Sequence, residues 1–178
     1  MQHDDHVALL RPGVPRRGGI WADFGSGWGA FTLALAELLG PGAVIYSIDR
    51  DGGALRQQAQ SMAARFPAIS LHPIKADFTR PLNPPLPPLD GLVMANALHF
   101  VPDAKKADVV SRLKTYLKPG GRFLLVEYNV DRGNPWVPHP LSYPTWETLA
   151  SRCGFTQVRQ LAARPSSFLK EIYSAECS

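Results

Sequence analysis

The sequence predicts an α/β fold built on a mostly parallel sheet with helices on both faces, and three observations carry that expectation. Short apolar runs alternate with helical patterns from Ile20 to Tyr128, the rhythm of consecutive strand–helix–strand units. The first apolar run is followed by a loop with glycines at positions 25, 27 and 29 that opens into a helical pattern, as in folds that bind a nucleotide at a strand end. The 178 residues, 45% hydrophobic, suffice for one domain with a sizeable core and leave little room for a second.

Taken in order, IWADF (20–24) is the first strand. WGAFTLALAELLG (28–40) puts Phe31, Leu35, Leu38 and Leu39 at helical spacing, and Gly40-Pro41-Gly42 stops the helix. AVIYSID (43–49) is the second strand, GGALRQQAQSMAARF (52–66) the second helix, and AISLHPIKAD (68–77) a third strand that Pro73 bends or assigns to an edge. RPLNPPLPPLD (80–90) is a proline-rich connection. LDGLVMANAL (89–98) is a buried fourth strand, PDAKKADVVSRLKTYLKPGG (102–121) a helix closed by its Pro-Gly-Gly, and RFLLVEYN (122–129) the fifth strand.

Past Asn129 the rhythm changes to a proline-rich loop, VDRGNPWVPHPLSYP (130–144), and a short helix, TWETLASRCG (145–154), with Thr145 as its N-cap. Two strand-like runs split by RPSS then close the chain as a hairpin. Residues 1–18 read as a short lid or tail, with Asp5 as a helix N-cap. The adjacent His3 and His6 of HDDH lack the third cluster that a metal site needs.

Basic residues number 19 against 15 acidic ones and are scattered, so no stripe follows a phosphate backbone. The two cysteines, Cys153 and Cys177, are far apart and suit a reducing compartment. With no apolar run long enough to span a bilayer and no leader pattern, the expected location is cytoplasmic.

Polar residues cluster after four of the strands, where an open α/β sheet binds its ligand. They are Asp23 with the glycines, Asp49-Arg50, Asp77-Phe78, and Asn96 to His99. The glycines alone leave two readings. Gly25, Gly27 and Ala30 fit a dinucleotide fingerprint with Asp49 on the ribose, and hence a nicotinamide-dependent oxidoreductase. A pyrophosphate, however, has no use for a carboxylate at Asp23. An adenosine with an amino-acid tail uses each group: Asp49 accepts from the ribose hydroxyls and Asp77 from the adenine amine. Phe78 or Arg50 stacks on the ring, and Asp23 faces the ammonium.

In that order and spacing ADFGSGWG, YSIDRD, KADF, DGLVMANALHF and LKPGGRFLLVEY resemble the successive motifs of class I S-adenosylmethionine-dependent methyltransferases, closest to the small-molecule branch that includes quinone-biosynthesis enzymes. The resemblance covers roughly residues 19 to 128. It implies a Rossmann-like three-layer sandwich whose seven-stranded sheet is mostly parallel, with the last strand antiparallel beside the fifth. It also implies S-adenosyl-L-methionine as cofactor, contacted by Asp23, Gly25, Ser26, Gly27, Trp28, Gly29, Asp49, Arg50, Asp77, Phe78 and Asn96. Trp28 either walls the methionine side or packs.

Methyl transfer from a sulfonium needs alignment and, for an acidic nucleophile, a base. His99 is the first candidate, and Glu127 and Tyr128 at the end of the fifth strand face the same rim. Trp136 and His139, between prolines, form either an aromatic wall over a small-molecule acceptor or a cover for the sheet edge. NPPL (83–86) resembles the motif with which amine methyltransferases hold a planar nitrogen, but it precedes the fourth strand instead of ending it. That disfavours adenine-amine methylation and leaves other RNA chemistry open. A catalytically silent cofactor-binding module within a complex is the remaining alternative.

Overall fold

A computed structural model describes residues 1–178. Seven strands form one sheet in the order β3-β2-β1-β4-β5-β7-β6: β1 Ile20–Phe24, β2 Val44–Asp49, β3 Ser70–Lys75, β4 Leu89–Ala95, β5 Leu117–Tyr128, β6 Val158–Pro165 and β7 Glu171–Cys177. Strands β1 to β5 pair in parallel, and β7 runs antiparallel between β5 and β6, as the resemblance implies. The helices are α1 His3–Leu10, α2 Ala30–Leu39, α3 Gly52–Arg65, α4 Asp103–Lys114 and α5 Tyr143–Arg152.

Period-two alternation distributes the strand residues between two cores. Ala22, Phe24, Leu92, Met94, Phe123 and Leu125 pack with Val109 and Val110 of α4 and Trp146 of α5. Trp21, Val93, Leu124 and Val126 point the other way, against α1, α2 and Met62 of α3. With both faces covered, β4 is buried and apolar from Gly91 to Ala95, the pattern expected of a parallel central strand. Pro73 sits in β3, one of the sheet's two edge strands. No helix is long and apolar enough to cross a membrane.

Three boundaries differ from the sequence expectations. Residues 1–18 do not form a lid or tail: Val7, Leu9 and Leu10 of α1 are buried against the α2 side of the sheet. Asp5 acts there as the third helical residue, accepting from Gln2 N at 2.9 Å, instead of as an N-cap. The helix α4 ends at Lys114, and Leu117–Gly121 belong to β5, where Leu117 pairs with Leu89 across a register shift. Ser142, not Thr145, takes the N-cap position of α5, because Pro144 already fits the first helical turn.

Candidate functional site

A cleft of about 1030 Å³ opens where β1, β2, β3 and β4 end, lined among others by Gly25, Gly27, Trp28, Asp49, Arg50, Asp77, Phe78 and Asn96. Eight of the eleven residues expected to contact a cofactor thus share one cavity. Asp23, Ser26 and Gly29 do not line the cleft wall.

The loop after β1 is anchored to β2. Gly25 N and Ser26 N donate to Ile48 O at 2.8 and 3.1 Å, and Gly27 N donates to Asp49 Oδ2 at 2.8 Å. Gly25 has φ +76°, and a Cβ there would stand 2.5 Å from Ala97 Cβ and 3.2 Å from Phe78 Cε1. Only glycine brings the loop this close to the β3 and β4 ends. Asp49 Oδ1 accepts from Asp51 N at 2.8 Å. Asp51 caps α3 through Gly53 N and Ala54 N, so the capping duty falls on Asp51 while Asp49 stays at the cleft.

Behind the loop runs a buried polar chain that links Asp23, Thr32, Gln58, Ser47 and Ser26. Thr32 Oγ1 donates to Asp23 Oδ2 at 2.5 Å, and Gln58 Nε2 donates to Thr32 Oγ1. Ser47 Oγ donates to Gln58 Oε1 at 2.5 Å. Ser47 has used its only proton, so Ser26 Oγ donates to it at 2.8 Å. Every donor points toward Asp23, and bonds aligned in one direction reinforce one another. Burial pushes the Asp23 carboxyl up to about 7, against the opposing effect of the Thr32 bond. Sequence reasoning missed Thr32, Ser47 and Gln58. The one legible signal was Gln58, a polar residue on the buried stripe Ala54, Gln58, Met62 of α3.

At the β3 end, Asp77 Oδ1 accepts from Thr79 N and Thr79 Oγ1 at 2.9 and 2.6 Å. The hydroxyl bond holds the carboxyl below its ordinary range. Arg112 of α4, also missed, donates from Nη2 to Thr79 O at 2.7 Å and steadies this turn. Asn96 adopts φ +50°, and its Oδ1 is buried without a partner. Asp49, Asp51, Asp77 and Asp108 balance Arg50, Arg80, Lys105 and Arg112 around the cavity.

His99 lies in a 3-10 turn, Leu98–Phe100, and is 3% exposed. Its Nδ1 is 3.0 and 2.9 Å from the two oxygens of fully buried Glu127. Glu127 also accepts from the backbone amides of His99 and Tyr128 at 3.1 and 3.2 Å. Tyr128 packs 6.1 Å from the His99 ring, and burial, with the Glu127 charge, raises its phenol. The three base candidates therefore meet at one point. Trp136 is 71% exposed and does not close over the cleft. His139 is tied into the loop by its amide, which donates to His99 O at 3.0 Å, and by its carbonyl, which accepts from Lys106. Trp28 is 62% exposed and lines the cavity, so it does not pack.

Residues 22–121 match the family model described as "Methyltransferase domain", more than half of the chain. A search of curated proteins finds no match. Among solved structures, a SAM-dependent methyltransferase from Leishmania major aligns with 99% of this chain and 72% of its own, at 18% identity and a TM-score of 0.78. Burkholderia thailandensis 1,6-didemethyltoxoflavin-N1-methyltransferase aligns with 99% of this chain and 77% of its own, at 17% identity and a TM-score of 0.75. Human N-acetylserotonin methyltransferase gives 20% identity and a TM-score of 0.69 over 98% of this chain, which spans only 50% of the human one. At these identities the likeness is one of fold.

Proposed function

Because the chain belongs to the methyltransferase domain family, we propose that it binds S-adenosyl-L-methionine in the cleft and transfers the methyl group to a small-molecule acceptor. The observation that carries this reading is the cleft itself, which gathers Gly25, Gly27, Asp49, Asp77 and Asn96 from four separate strand ends. The residues fit an adenosine with an amino-acid tail. Gly25 makes a cradle that a Cβ would fill, and Asn96 Oδ1 is a buried acceptor with no partner in the protein. The loop is flanked by carboxylates, Asp23 and Asp49, which suit an ammonium and a ribose diol. The human and Burkholderia proteins of this fold hold SAM, and S-adenosylhomocysteine with 1,6-didemethyltoxoflavin, respectively. The unpaired thiols Cys153 and Cys177 support a reducing, cytoplasmic setting.

In this reading Asp49 holds the ribose, Asp77 and Phe78 the adenine, and Asp23 the ammonium from behind the loop. The bound cofactor supplies an activated methyl group. Glu127 fixes the proton of His99 on Nδ1 and leaves the Nε2 lone pair to accept a proton from the acceptor. Glu127 also stabilises the imidazolium that results.

Thermal-shift titration tests the cofactor. S-adenosylhomocysteine at 100 times its Kd adds about 2.7 kcal/mol of stability, and Asp49→Ala abolishes the response. Stabilisation by NADH alone, or an Asp49→Ala variant that responds in full, overturns the reading.

A further inference from the structure

Five large apolar side chains are exposed: Met1, Trp28, Phe100, Trp136 and Phe168. Three of them belong to one train of rings that starts at the cleft. Phe100 lines the cavity and lies 4.3 Å from His99, whose ring is 6.1 Å from Tyr128. Tyr128 is 5.7 Å from Phe168, and Phe168 stands edge-on to Trp136 at 6.4 Å and 78°. The rings come from the β4 end, the β5 end, the β5–α5 loop and the β6–β7 turn. The β5–β7 pairing that sets Tyr128 opposite Ile172 brings the last of these alongside the others. Phe100, Trp136 and Phe168 are exposed, with half-buried Tyr128 and buried His99 between them, and exposed apolar side chains beside a cavity mark a binding surface.

We propose that Phe100, Tyr128, Trp136 and Phe168 form the platform for the methyl acceptor, and that the acceptor is a flat aromatic ring bearing a weakly acidic hydroxyl. This rests on the methyltransferase reading of the adjoining cleft. The ring character follows from the platform, since aromatic faces select planar π systems over saturated ones. The hydroxyl follows from the root of the platform, where His99 is held by Glu127 with Nε2 left to take a proton. A general base takes the proton of a phenolic hydroxyl, near pKa ~10, far more readily than that of an aliphatic alcohol. In the transfer the hydroxyl proton passes to His99 Nε2, and the acceptor oxygen forms a bond to the methyl carbon. The carbon–sulfur bond breaks with its electron pair kept by sulfur, which leaves a neutral thioether, and the imidazolium then releases its proton to water.

The probe is 2-naphthol, titrated by saturation-transfer NMR against the full chain with and without S-adenosylhomocysteine, and compared with decahydro-2-naphthol. The expected result is binding of 2-naphthol alone, about tenfold weaker in the Trp136→Ala/Phe168→Ala double variant, with the S-adenosylhomocysteine Kd unchanged. Both side chains are exposed, so the variant keeps its melting temperature. Equal binding of the saturated alcohol, full retention in the double variant, or displacement of 2-naphthol by a short RNA overturns the platform. Failure of S-adenosylhomocysteine to bind instead overturns the cofactor reading, which that titration measures separately.

Discussion

Ser26, in the glycine loop, is 9% exposed and joined through Ser47, Gln58 and Thr32 to Asp23, whereas Trp136, beyond the cleft wall, is 71% exposed and meets Phe168 edge-on. The glycine-loop side is held by directed hydrogen bonds that leave its shape little freedom. The aromatic side offers ring surface with little to hold it, apart from the buried His99–Glu127 pair at its root. One side suits a ligand of fixed shape, and the other suits a ligand chosen by flatness. A fixed cofactor and a selectable acceptor require that division of labour.

The sharpest way to break the comparison is at the one rigid element of the aromatic side. His99→Ala removes the proposed base and lowers kcat by about 10²- to 10⁴-fold, while the S-adenosylhomocysteine Kd stays within about twofold because His99 does not line the cofactor cleft. Glu127→Gln keeps the shape and loses the charge, so it shifts the pH–rate profile as well as lowering its plateau. Equal losses of kcat and cofactor affinity in both variants, measured by steady-state kinetics and calorimetry, would show the pair to be structural.

The contrast also explains what the sequence made legible. Asp23 to Gly29, Asp49-Arg50 and Asp77-Phe78 are contiguous motifs, each at a strand end, so the glycine-loop side could be read from local pattern. The platform was legible only at Trp136, because Phe100, Trp136 and Phe168 lie in three separate segments that meet only when β7 inserts beside β5. The polar chain was hidden for another reason. Thr32 and Ser47 look like ordinary residues of a helix and a strand, and only tertiary packing turns them toward Gln58. The end of α4 was misplaced because Pro119-Gly120-Gly121 is a strong stop signal, yet Leu117 had already joined the sheet.

A second test acts on Asp23, where burial outweighs the bond from Thr32 and raises the folded pKa from 3.8 to about 7. The native state keeps a proton that the unfolded chain releases, so this group's stabilising contribution is complete below about pH 4 and is lost as pH rises to about 7. The loss amounts to at most about 4 kcal/mol. Asp23→Asn removes it, so the difference in urea midpoint between variant and wild type grows in the variant's favour across that window. A difference independent of pH would mean that Asp23 does not titrate there.

The smallest effect isolates the brace. Gln58→Leu preserves volume but leaves Thr32 Oγ1 without its donor and Ser47 Oγ without its acceptor, at a cost of about 1–3 kcal/mol. Gly29 sits against this side chain, its missing Cβ only 2.4 Å from Gln58 Cγ, so the loss falls directly behind the loop. Cofactor affinity should drop about three- to tenfold, the part of the penalty that reaches the loop. Binding of 2-naphthol should not change, because the platform shares no residue with the chain. Chemical denaturation and the two ligand titrations measure all three quantities. If the loop is held by its backbone bonds to Ile48 and Asp49 alone, stability falls and cofactor affinity does not. If the two sides of the cleft are mechanically one body, both affinities fall together, and the division between a fixed and a selectable half is wrong.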